Sequence, residues 1–492
     1  MAELAGTVRT SALDRHFRFR ENGTTLARDT MAGVTTFIVM SYIIFVNPAI
    51  LSFAGVEGLE EIGLPFDGVL ASTCLVAGVM SIAMGLLTNR AYAIAPGLGL
   101  NAVVAFTLVA GEGLGFPEAM GIVVLEGALV TALVLIGMRE KVMDAIPLEL
   151  KKAIAIGIGL FIAFIGLVNS GLIVQGVPVV DLAPFTTWPV LVTIFGLALT
   201  IALRAIGFRG DLLVGIIATT IFATIVNWAT DYTAFTGPGS DRYARWPGDV
   251  VESPNFGLIG EFSFDAFATI GVVTTLALIF SLFLADFFDT MGTLVGVGKQ
   301  AGYLDQDGRL PEIRKPLLVD SVAAMAGGAA SASSATTYIE SGSGVGVGGR
   351  TGWVAVVAGA LFFPFLFFAP LIGMVPPQAT APALIIVGYL MITALTEAEE
   401  RAEPGIGRRA EQKFAGIDFH DLAIGLSAAL TIMVMPFAFS ITDGIGFGFI
   451  AYVLIRIAQG EWRRVHPLML AAAAAFTLYF LIPLLHDNLS WI

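Results

Sequence analysis

The chain is built from apolar runs of roughly 17–25 residues, the length that crosses the hydrocarbon core of a bilayer as a helix, and they recur from residue 31 almost to the C-terminus. The sequence therefore predicts an all-α polytopic membrane protein. Composition agrees: 56% of the 492 residues are hydrophobic and 13% charged, with a mean hydropathy of +0.85. A soluble domain carries about a quarter charged residues, so this chain has too few to clothe itself in polar surface.

The runs fall near 31–51, 68–87, 92–111, 118–137, 150–173, 187–205 and 211–229, and then, after a polar loop at 230–265, near 268–297, 317–330, 335–350, 352–372, 377–396, 421–438 and 441–457. That gives about fourteen segments. Cations collect on the cytoplasmic side of membrane proteins, which tests the count. With residues 1–29 placed inside as a cytoplasmic tail and sides alternating, only Arg242 and Arg245 of the 26 Lys and Arg fall outside. The tail lacks the short apolar core and cleavage site of a signal peptide. A further apolar stretch, 467–485, lies in the C-terminal region 459–492, and the sequence leaves open whether it spans or lies at the interface.

The net charge of −13 comes largely from loop acids such as Glu57, Glu60, Glu61, Asp67, Asp231, Asp241 and Asp249. No basic patch is available to track phosphates, so nucleic acid is not an expected partner. Cys74 is the single cysteine, and the four histidines lack metal-ligand spacing; no metal or cofactor is expected.

Val34-Thr35-Thr36 recurs as Val273-Thr274-Thr275, and the same shift carries Asn47 onto Asp286 and Asn101 onto Glu340. Halves of seven segments have opposite orientations, the inverted-repeat plan of many transporters, whose sites lie near the midplane. The halves are then 30–229 and 266–458.

Three stretches could carry chemistry. In Ala95-Pro96-Gly97-Leu98-Gly99-Leu100-Asn101-Ala102, Pro96 removes a backbone donor and Gly97 and Gly99 loosen the turn. An extended stretch followed by a short helix fits; a Pro–Gly kink is the plainer alternative. Ser333-Ser334-Ala335-Thr336-Thr337-Tyr338-Ile339-Glu340-Ser341 sets a carboxylate among apolar segments, which is costly to keep. Its β-branched residues suit a short strand, and a half-helix beginning near Glu340 presents N–H donors. A glycine–serine packing face explains the glycines but not Glu340. In Ala285-Asp286-Phe287-Phe288-Asp289-Thr290-Met291-Gly292-Thr293, Asp286 and Asp289 share a helical face. Two close carboxylates in a low dielectric resist ionising together, a property proton coupling needs. Lys299 marks the inner helix end about 15 Å beyond Asp289, which favours burial over a wetted helix end. Asn47, Glu126, Asn169 and Asp443 are weaker polar candidates within or beside apolar runs.

With Met435-Pro436-Phe437-Ala438-Phe439-Ser440-Ile441-Thr442-Asp443-Gly444-Ile445 added, these motifs resemble the nucleobase–ascorbate transporters, and among them the AzgA-like purine permeases. The resemblance covers nearly the whole chain. It implies a core domain of segments 1–4 and 8–11, a gate domain of segments 5–7 and 12–14, and short strands in segments 3 and 10. It also implies import of hypoxanthine, guanine or adenine with protons by an elevator-like movement, in the inner (cytoplasmic) membrane. Asn101, Asp286 and Glu340 would contact the purine and Asp289 would serve transport, with Asp286 and Glu340 also candidates for proton coupling. Phe287 could stack on the base, while Gly97 and Tyr338 belong to the broken segments that line it. A homodimer is left open. The rival readings are a uracil, xanthine or small-anion carrier on the same fold, and an intramembrane aspartyl protease. The protease needs aspartates from separate helices, whereas Asp286 and Asp289 share one.

Overall fold

The computed structural model describes residues 12–56, 58–137, 145–177, 179–235, 241–305, 310–400 and 417–489. Glu57, the first eleven residues of the tail, and the cations Arg139, Lys141, Arg309, Arg401, Arg408, Arg409 and Lys413 lie outside the described residues.

The first segment is two helices, α1 (Leu26–Met40) and α2 (Ile43–Leu51), broken at Ser41-Tyr42. α3 (Phe66–Thr88) leads to strand β1 (Ile94–Pro96) and the short helix α4 (Leu98–Ala102), which continues as wider turns over Val103–Gly111. Then come α5 (Phe116–Leu135), α6 (Leu148–Asn169), β2 (Ile173–Gln175), β3 (Val180–Leu182), α7 (Trp188–Ala205) and α8 (Asp211–Ala229). The second half holds α9 (Val272–Ala301), α10 (Arg314–Ala329), β4 (Ala335–Thr337), α11 (Ser341–Gly346), α12 (Trp353–Ala360), α13 (Pro377–Glu400), α14 (Leu422–Phe437) and α15 (Ile441–Ala458). A final helix, α16 (Pro467–Leu489), follows.

Among the described residues, eight helical stretches are long and apolar enough to cross a bilayer alone; others, such as Leu98–Gly111 and Trp353–Phe367, are shorter. Local chemistry accounts for two of the short pieces: Pro96 ends β1 just before α4, and Pro364 lies in the tight turns Phe363–Phe367 that follow α12. Helix α8 presents Ile217, Ile221, Ile225 and Trp228 outward as an exposed apolar stripe, the face a bilayer would cover.

Two groups of helices pack within themselves. In the first, α12 lies on α1 and α3, and α10 lies on α3 and α5. In the second, α13 lies on α6, α7 and α8, and α14 lies on α6 and α15. Each group contains a glycine pair at which two backbones touch. A Cβ on Gly85 would strike the carbonyl of Gly352, and one on Gly352 the carbonyl of Gly85; Gly159 and Gly388 stand in the same relation. One element departs from the all-α expectation: β2 and β3 pair as an antiparallel hairpin in the α6–α7 connection, with mostly exposed residues.

Candidate functional site

The two interrupted segments meet. β1 and β4 form an antiparallel ribbon in the register Ile94↔Thr337, Ala95↔Thr336 and Pro96↔Ala335. The Gly97 N–H donates to Ser334 C=O, and the Tyr338 N–H to Ala93 C=O, both at 2.9 Å. Hydrogen-bonded pairs alternate along an antiparallel ladder, so Ala95–Thr336 is the next such pair and Pro96–Ala335 is not. The one residue without an N–H therefore sits where the ladder asks for none. Ser81 of α3 covers the far edge of β1, its hydroxyl exchanging 2.8 Å bonds with the N–H and C=O of Ile94. The ribbon is thus a two-stranded sheet whose outer edge is closed by a side chain.

Short helices leave both strands. Gly97, at the start of α4, has no room for a side chain: a Cβ there would stand 2.9 Å from Leu100 Cδ1 and Thr336 Cγ2. Asn101, on α4, is fully buried, and among the described residues neither its amide oxygen nor its nitrogen has a hydrogen-bond partner. Leaving such a group unsatisfied costs about 1–3 kcal/mol. Glu340 stands immediately before α11 and is 8% exposed. Its Oε1 accepts a 2.6 Å hydrogen bond from the Tyr42 hydroxyl at the break between α1 and α2. Tyr338 is buried and its hydroxyl donates to the Pro96 carbonyl, which makes it a clamp across the ribbon.

Helix α9 packs against α4, β4 and α11. Asp286 is fully buried on it, whereas Asp289 is half-buried and close enough to Glu340 and Asp320 for their charges to interact. Phe287 is 1% exposed, its ring 5.6 Å from both Phe283 and Phe288 in an aromatic ladder along α9.

Sequence reasoning missed three contributors. Asp320 of α10 accepts from the Thr337 N–H at 2.8 Å and hydroxyl at 2.7 Å through Oδ1, and from the Thr290 hydroxyl at 2.7 Å through Oδ2. The Thr290 hydroxyl has spent its proton on Asp320, so its 2.7 Å contact with Thr336 is one in which Thr336 donates. Asp320 thereby ties β4 to α9. A carboxylate inside the run 317–330 was the available signal. The others, Tyr42 and Thr290, gave none. Of the weaker candidates, Asn47 donates to Thr73 and to Ala332 C=O, and Glu126 accepts from Ser334 at 3.4 Å. Both brace the loop into β4.

Comparison with known proteins places the fold. The Permease family description matches residues 28–401. The chain is 37% identical to the adenine permease AdeQ of Escherichia coli, over 96% of each chain. It is 36% identical to the guanine/hypoxanthine permease PbuG of Bacillus subtilis, over 94% of this chain and 98% of that one. The transmembrane domain of a cyanobacterium bicarbonate transporter, BicA, shares the fold at 15% identity with a TM-score of 0.56, covering 88% of this chain and 98% of that domain. The chain belongs to the Permease family, in keeping with its resemblance to the nucleobase–ascorbate transporters and their AzgA-like members, and is a membrane permease rather than an enzyme.

Proposed function

We propose that the chain imports purine nucleobases with protons. The observation that carries this reading is Asn101: a buried amide with both ends unsatisfied, set on the helix that leaves the crossed ribbon. An amide that can donate and accept, together with a carboxylate at Glu340, suits a flat neutral heterocycle ringed with N–H donors and ring-nitrogen acceptors. The relatives named for adenine and for guanine and hypoxanthine supply the substrate class. Asp286 forms the third wall, and Asp289, three residues further along α9, is the proton-coupling candidate.

In this reading the first helix group is a core that carries the ribbon and the second a gate against which it slides. The fourteen segments form two inverted halves of seven, with the N-terminus on the cytoplasmic side of the inner membrane. The shift that superposes Val34-Thr35-Thr36 on Val273-Thr274-Thr275 carries Pro96 onto Ala335, which are paired in the ribbon, as an axis through that pair requires.

The test is uptake of labelled hypoxanthine by cells expressing the wild type, Asn101→Ala, Asp286→Ala and Glu340→Gln. All three variants should reach the membrane and lose uptake. Wild-type rates from any of them would remove that residue from the site. Competition by unlabelled adenine, guanine, uracil and xanthine then fixes the base; displacement by uracil alone would overturn the purine assignment.

A further inference from the structure

Among the described residues, helix α16, whose apolar part is Pro467–Ile482, lies outside the fourteen-segment scheme. Its contacts define its course. Phe476 packs on Phe449, with ring centroids 6.0 Å apart, while Phe480 lies 5.1 Å from Phe447, and the Tyr479 hydroxyl is 3.5 Å from Asp443. Residue numbers rise along α16 as they fall along α15, so the two helices are antiparallel. From Pro467 to Tyr479 the helix climbs about 18 Å. Arg463 and Arg464 mark the turn between the two helices, on the side where cations collect.

At the top of this climb the Tyr479 hydroxyl donates a 2.8 Å hydrogen bond to Glu112 Oε1. Glu112 follows the wide-turn helix Val103–Gly111, which continues α4 and belongs to the ribbon's own segment. Asp443 belongs to the first turn of α15, in the other helix group. The hydroxyl has one proton and gives it to Glu112, so Tyr479 ties the ribbon's segment to the other group through the packing of its helix, α16, on α15. A second closure lies beside it. Phe439 has a backbone φ of +54°, a region that aromatic residues seldom occupy. Its ring meets Phe106 of the ribbon's segment at 5.2 Å and Phe161 of α6 at 5.4 Å. Between these closures lies a cavity of about 420 Å³, bordered by Phe106, Thr107, Glu112, Phe439, Asp443 and Tyr479.

We propose that α16 is a fifteenth membrane span and that Tyr479 is a gating residue, fastening the outer end of the ribbon's segment to the gate until substrate enters. The gating half rests on the core-and-gate reading above; the topological half does not. A charge-assisted hydrogen bond across this boundary shifts the balance between closed and open outer seams by roughly tenfold or more. An opened seam leaves more of the protein competent to bind from outside, which lowers the apparent half-saturating concentration.

Three measurements on the full chain test this. Alkaline phosphatase fused after Ile492 should be active and green fluorescent protein there dark; the opposite pair of results would put the C-terminus inside and overturn the fifteenth span. Tyr479→Phe should lower the half-saturating external hypoxanthine concentration severalfold at unchanged protein level, and an unchanged value overturns the gating role. Glu112→Cys with Tyr479→Cys, joined by a short bis-thiosulfonate that forms a disulfide with each thiol and releases sulfinate, should stop uptake until a reductant cuts the link. Cys74 is fully buried and leaves no competing thiol. Full uptake by the joined protein overturns the gate. If the wild type carries no purine at all, the transport reading and the gating role fall together, while the fusions still report on the fifteenth span.

Discussion

Asp320 accepts hydrogen bonds from the Thr337 N–H, the Thr337 hydroxyl and the Thr290 hydroxyl, donors on two other elements, with both carboxylate oxygens engaged. An amide cannot replace it, because one end of an amide is itself a donor. Asp320→Asn turns an N–H₂ toward either Thr290 or Thr337 and leaves a buried donor unsatisfied, at a cost of about 1–3 kcal/mol. The variant should melt earlier in detergent and lose purine binding, both followed on purified protein; unchanged melting would mean that Asp320 does not hold β4. Tyr42→Phe isolates a different contact. It deletes the hydroxyl that orients Glu340 and should weaken binding by roughly tenfold, read by titration calorimetry, while the fold survives. These two residues also mark how far residue-level reading reaches. Asp320 lies in an apolar run, and the argument that singled out Glu340 applies to it unchanged. Tyr42 is an ordinary aromatic in the first segment; its partner is 298 residues away, and only the folded chain pairs them.

Elements were most legible where covalent geometry leaves little choice. Pro96 with Gly97 and Gly99 dictates an interruption, and the structure has a strand ending at Pro96 with a helix starting at Leu98. The ladder explains why proline is accepted there, and it yields a prediction that separates neighbouring positions. The Thr336 N–H belongs to a hydrogen-bonded pair, so Thr336→Pro removes a ladder bond that Pro96 does not. Thr336→Pro should abolish purine binding, whereas Thr336→Val, which keeps the backbone and loses only the hydroxyl bonded to Thr290, should retain it at reduced affinity. Equal loss in both would place the importance of Thr336 in its side chain. One element escaped the sequence reading, and the course of another, the apolar stretch 467–485, was left open by it. The β2–β3 hairpin consists of two three-residue strands with mostly exposed residues and carries no alternation long enough to announce a sheet. The course of α16 is fixed by Phe476, Tyr479 and Phe480 meeting α15, and hydropathy alone cannot tell a span from an interfacial helix.

At the scale of the whole molecule, apolar run lengths and the asymmetry of cations already imply a polytopic bundle, and the family match and the likeness to the BicA domain agree with that class. The grouping of helices into two packed sets was not available from local sequence. It emerges from backbone contacts such as Gly85 with Gly352 and Gly159 with Gly388, each joining segments far apart in the chain. If one set slides against the other, the energy source must act at the set that holds the substrate. Asp289 stands on α9 of the ribbon-bearing set and is close enough to interact with Glu340 and Asp320 through charge. An inward proton gradient should therefore drive accumulation. In vesicles of outside-in flux geometry, acid outside should concentrate labelled hypoxanthine above its external level, and acid inside should drive it out. A protonophore should reduce both to simple equilibration. Asp289→Asn, which keeps the shape of the side chain and removes its titration, should equilibrate hypoxanthine across the membrane but no longer concentrate it under either gradient. Accumulation that survives the protonophore would mean that another ion drives the cycle, and Asp289 would then have no place in the coupling.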